Sequence, residues 1–70
     1  MEHVLAKTLI ATRVVELIAK KHRVSLDEAR EELYQSNTID LIDDDETGLY
    51  GESPLYVFSI FEKEKGMLDK

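Results

Sequence analysis

Between Val4 and Ile18 the apolar positions Val4, Ala11, Val14, Val15 and Ile18, with Ile10 and Leu17 beside them, recur every 3.6 residues. They fall on one side of a helix. Lys20, Lys21, His22 and Arg23 follow, and cations there complement the exposed carbonyls of a helix C-terminus. The first helix is therefore expected to stop at this basic run. Ser25-Leu26-Asp27-Glu28 is a capping box, in which a serine hydroxyl accepts from the amide three residues on and the glutamate reaches back. A second helix starts there. Leu26, Ala29 and Leu33 share one face of it with Tyr34 close by, while Glu31 and Glu32 point elsewhere. So narrow an apolar face predicts packing at the edge of the core.

Ser36-Asn37-Thr38 offers three candidate caps for a short helical segment carrying Ile39, Leu41 and Ile42. Its end falls among Asp43 to Glu46, acids poorly placed at a negative helix pole. The expected exit is Gly48, which has no Cβ to oppose the left-handed conformation of a helix stop. Ser53-Pro54 matches a fresh start, with serine as cap and proline at the first helical position. The run Leu55-Tyr56-Val57-Phe58-Ser59-Ile60-Phe61 would suit a buried strand on its β-branched and aromatic content. Its flanks favour helix: a capped start, the charged continuation Glu62-Lys63-Glu64-Lys65, and Gly66 as a stop. Residues 67–70 are expected to fray.

The expected class is all-α, a small bundle or orthogonal array of three to four helices forming one helical domain over residues 1–70. Seventy residues bury only about 60% of the unfolded surface, so the core is thin. Such chains are commonly reinforced by disulfides, a structural metal, oligomerisation or well-packed helices. There is no cysteine, which removes disulfides and thiolate zinc sites and fits a reducing interior. The N-terminus lacks the pattern of a secretory signal, and no apolar run approaches the roughly 20 residues of a membrane span. A cytoplasmic location, away from the membrane, is expected.

Charge is segregated along the chain. Residues 1–30 carry six basic and four acidic side chains, 31–62 none and nine, and 63–70 three and two, giving the net charge of -6. The acidic middle repels a phosphate backbone, leaving only Lys20, Lys21, Arg23 and Arg30 to meet nucleic acid. A nucleic-acid-linked regulator, or an antitoxin-like component using that basic cluster, is the alternative to the main reading.

The acids at 43–46 invite comparison with an EF-hand loop. With Asp43 at position 1, Asp45, Thr47 and Gly48 fall at positions 3, 5 and 6. Position 12, where a bidentate glutamate should stand, is Pro54, and Glu52 comes two residues early. No metal is expected. His3 and His22 lie nineteen residues apart without ligand-spaced partners. Ser25, Ser36 and Ser53 read as caps rather than nucleophiles, and Asp43, Asp44 and Asp45 as solvated carboxylates rather than a general acid. Gly48 and Gly51 are followed by no lysine and flanked by five carboxylates, so they cradle no phosphate. The expectation is a chain without enzymatic activity, cofactor or small-molecule substrate. Tyr56 is expected to pack its ring in the core, and Tyr50, inside the junction, is less committed to it.

From Ser36-Asn37-Thr38 through Asp44, Glu46, Thr47, Gly48, Leu49, Tyr50, Ser53, Pro54 and Tyr56, the chain resembles a group of short bacterial proteins of uncharacterised function. Their pattern is close to S-x-T followed by D-x-E-T-G-L-Y-x-x-S-P-x-Y. The resemblance covers residues 36–62 and implies no activity. Gly51 departs from the larger side chain expected in that group.

Leu5 and Leu9 lie one turn apart on the side of the first helix opposite Ile10, Val14 and Ile18, among Thr12, Arg13 and Glu16. The apolar surface wraps further round than packing on one side requires. Either the other helices embrace both sides or this stripe meets another chain. The candidate interface is Leu5 and Leu9, with Tyr50 and Glu52 in the junction, and the expected function is protein–protein interaction, as a homodimer or an accessory subunit.

Overall fold

The computed structural model describes residues 4–66. It contains α1 (Val4–His22), α2 (Leu26–Tyr34), α3 (Asn37–Asp43), a short 3₁₀ turn (Leu49–Gly51) and α4 (Pro54–Lys65). Among the described residues there is no strand, and the all-α class holds. None of these helices is long and apolar enough to cross a membrane. α1 is the axis of the assembly, packing against α2, α3, the 3₁₀ turn and α4.

Its predicted face is the centre of the core. Val14 and Ile18 are fully buried and Ile10, Ala11 and Val15 nearly so. They meet Ala29 and Leu33 of α2, Ile42 of α3, Leu49 of the turn, and Val57 and Phe61 of α4. The run Leu55–Phe61 is helical, as its flanks imply, and only Val57 and Phe61 on it are buried outright. Leu26, at the start of α2, stays 54% exposed, so α2 touches the core through little more than Ala29 and Leu33.

The boundaries follow local chemistry. Ser25 Oγ accepts from the Glu28 amide at 3.1 Å, and Ser53 Oγ from the Tyr56 amide at 3.2 Å. Pro54 occupies the first turn of α4, and Gly66 ends that helix at φ 74°. α1 stops without a glycine: Arg23 takes the left-handed conformation, φ 58°, and the Val24 amide then bonds the Ala19 carbonyl. A non-glycine residue there carries a small steric cost.

Two expectations need correction. Ser36 stands at the cap position of α3, yet its hydroxyl turns back to the Leu33 carbonyl at 2.6 Å. The cap comes from α4, where the Glu64 carboxylate accepts from the Asn37 amide at 2.6 Å, the Thr38 amide at 2.9 Å and Thr38 Oγ1 at 2.7 Å. A carboxylate serves better than a hydroxyl because it offers more lone pairs and its charge suits the positive pole of the helix. Second, α3 ends at Asp43, inside the acidic stretch expected to close it, so Gly48 is not its stop. Gly48, at φ 65°, instead turns the chain into the 3₁₀ segment.

Candidate functional site

The outer side of α1 is the first place to look for function, because it is left uncovered. Leu5 is 72% and Leu9 53% exposed, so the other helices do not embrace both sides of α1. α4 adds to the same surface at its beginning. Leu55 is 66% exposed, and with Pro54 and Ser53 it faces Arg13, Leu17 and Lys20 across a groove. A shallower depression between Leu9, Ala6 and Arg13 on one side and Tyr50 and Pro54 on the other continues that groove towards the start of α1. The result is a surface on which Leu9, Leu17 and Leu55 are interleaved with Arg13, which lines both depressions, and with Glu16 and Lys20.

The junction between α3 and α4 borders this surface. Asp44 Oδ1 accepts from the Glu46 amide at 2.9 Å. Thr47 Oγ1 donates to the Leu41 carbonyl at 2.6 Å, with the Asp44 carbonyl at 3.0 Å, and accepts from the Leu49 amide at 3.2 Å. These bonds use the short side chains that local turns favour. Lys7 of α1 then fastens the junction. Its ammonium donates to the Asp43 carbonyl at 2.7 Å, pairs with Asp45 at 2.6 Å and lies 5.8 Å from the Tyr50 ring centre. The hydrogen bond to Asp45 raises its pKa above the ordinary 10.5, with a smaller opposing push from desolvation.

A second charged cluster closes the other end of α1. Glu62 is 3% exposed and receives Lys21 Nζ at 2.7 Å and His22 Nε2 at 3.1 Å. Both carboxylate oxygens are used, and no buried side-chain polar atom among the described residues lacks a partner. A buried carboxylate satisfied this way is a structural group.

The residues singled out from sequence divide. Leu5 and Leu9 are exposed as expected, and Tyr50 lies beside Leu9 on this surface, though it is half buried and packed against the core. Glu52 is exposed, and its amide closes the 3₁₀ turn on the Leu49 carbonyl at 3.0 Å. The tyrosines reverse the expectation: Tyr56 is 51% exposed while Tyr50 is tucked in. Ser25 and Ser53 are caps. His3 lies outside the described residues. Of the four cations in the basic cluster, Lys21 pairs with Glu62 and Arg30 with Asp27 at 3.3 Å. Among the described residues no group of three His, Asp or Glu converges as a metal site would require.

The chain matches no protein-family model, no curated protein and no solved structure. Sequence reasoning missed the contribution of Leu55 to this surface. The available signal was its place next to Pro54, at the start of a helix whose buried positions are Val57 and Phe61.

Proposed function

We propose that this chain is a protein–protein interaction module acting in the cytoplasm, with the strip formed by the outer side of α1 and the first turn of α4 as its docking surface. One observation carries the reading: Leu9 and Leu55 are each more than half exposed and line adjoining grooves that meet at Arg13 and Pro54, with Leu5, also exposed, one turn before Leu9 on α1. Keeping large aliphatic side chains in water on so small a domain is unfavourable unless another surface covers them. Arg13, Glu16 and Lys20, which stand among these side chains, add charges of both signs that a partner's polar groups can meet.

A photo-activated cross-linking residue placed at Leu9 in the native cell tests this, with the same residue at Glu31 on α2 as control. Position 9 should give adducts of higher mass and position 31 should not. Absence of adducts from positions 5, 9 and 55 alike would overturn the reading.

A further inference from the structure

We propose that α3 and the junction behind it, residues 37–51, open from the rest of the fold as one unit, and that Lys7 of α1 and Glu64 of α4 are latches that hold it shut. The segment is stitched to itself. Thr47 Oγ1 donates to the Leu41 carbonyl at 2.6 Å, and the Asp44 amide to the Asp40 carbonyl at 3.0 Å, so the end of α3 and the loop after it part only if these bonds break. Its hold on the core is thin. Ile42 and Leu49 are its buried apolar residues, against Ile10, Ala11, Val14, Val15 and Ile18 in α1. Thr38 is fully buried as well, but its hydroxyl depends on Glu64 for a partner. A helix of seven residues with little buried apolar surface has the properties of a locally opening unit.

The latches act at opposite ends of α3. Glu64 accepts from the Asn37 and Thr38 amides at 2.6 and 2.9 Å and from Thr38 Oγ1 at 2.7 Å. The nearest local substitute, Ser36 Oγ, is already turned to the Leu33 carbonyl. Lys7 donates to the Asp43 carbonyl at 2.7 Å and pairs with Asp45 at 2.6 Å, so one ammonium grips both the last residue of α3 and the loop. Bonds to charged groups are stronger than neutral ones, and all of these are lost when the segment opens. Opening also carries Tyr50 away from α1, and Tyr50 is a wall of the depression lined by Ala6, Leu9, Arg13 and Pro54. The device therefore sets the shape of the surface beside the first turn of α4, whatever that surface binds.

Amide hydrogen exchange of the unmodified chain, followed through rising urea below the unfolding transition, tests this directly. The amides of Leu41, Ile42, Asp43 and Asp44 and, past the junction, those of Leu49 and Gly51 should merge onto one opening, at least about tenfold more populated than the opening that exposes Val14 and Ile18. The variants then test the latches. Glu64→Ala should speed Leu49 and Gly51, at the far end of the unit, about tenfold, and Lys7→Met should speed Leu41 and Ile42 severalfold. Independent fraying would confine each effect to its own end. Segment amides protected as strongly as Val14 and Ile18 in the unmodified chain, or variants whose effects stay local, would overturn the device. Because the chain is measured alone, that result would leave the interaction-module reading untouched, and a failed cross-link at positions 5, 9 and 55 would leave the device standing.

Discussion

Replacing Glu64 by glutamine or alanine tests how this domain completes its shortest helix. α3 has seven residues, too few to be stable alone, and its first amides rest on a side chain from another helix. Thr38 is fully buried, and both its amide and its hydroxyl donate to the Glu64 carboxylate. Removing the acceptor strands two donors in a dry site. A stranded buried donor costs about 1–3 kcal/mol, and water entering the space vacated by an exposed carboxylate moves Glu64→Ala towards the low end, about 1–2 kcal/mol. For a domain of this size each kcal/mol lowers the melting temperature by roughly 4–8 °C, a shift that thermal melting followed by circular dichroism resolves. Glutamine keeps one acceptor and loses the charge, so its loss should be smaller. The pH dependence carries the sharper test. Burial pushes the Glu64 carboxyl up, but the hydrogen bonds from Asn37 and Thr38 outweigh it and hold the group below its ordinary 4.5. A carboxylate with a depressed folded pKa binds protons more readily unfolded, so its contribution is complete above that ordinary value and fades as pH falls through the lowered one. The gap between wild type and Glu64→Gln should therefore be constant from neutral pH to about 5.5 and shrink on further acidification. A Glu64→Ala variant that melts with wild type, or a gap that persists unchanged at pH 3, would refute the capping argument.

Gly51 has open space where a Cβ would stand, at an unstrained φ, whereas Gly48 is held at φ 65°. Gly51→Ala should stabilise by about 0.4–1 kcal/mol by restricting the unfolded chain, and Gly48→Ala should destabilise by about 1 kcal/mol, both read from urea midpoints. Glu62→Met should be nearly neutral in thermal melts, because Lys21 and His22 can return to water, while Lys21→Met, which leaves the buried carboxylate short of a cation, should lower the melting temperature more. Ser25→Ala and Ser53→Ala should each cost about 1 kcal/mol through loss of a side-chain cap, measurable by the same melts.

The core of α1 and the caps of α2 and α4 were legible because they depend on neighbours in sequence. Ile10, Ala11, Val14, Val15 and Ile18 are marked by period, Ser25 by Glu28 and Ser53 by Pro54. The helix Leu55–Phe61 could be separated from a strand only through its flanks, Ser53-Pro54 and Gly66. The misreadings arose where long-range contacts decide. Ser36 looks like a cap, and only the fold brings Glu64 across to take that role. Gly48 looks like a helix stop, but α3 has already ended, at a carbonyl held by Lys7 from 36 residues away. Tyr50 and Tyr56 exchanged roles because the Tyr50 ring is offered both a core wall and an ammonium, which no local pattern encodes. For the candidate surface, Leu5 and Leu9 were legible as surplus apolar positions on one helix. Leu55 was not, because it joins them only when α4 packs beside α1.

The two ends of α3 are tied by residues from the first and last helices, Lys7 at the Asp43 carbonyl and Glu64 at the Asn37 and Thr38 amides. On a ribosome these ties become available at very different moments. Lys7 is present almost from the start, whereas Asn37 and Thr38 must wait until residue 64 has been added. A nascent chain stalled before that point holds every residue of α3 but lacks its clasp, so native protease resistance in this region should appear abruptly, only once the last turn of α4 has emerged.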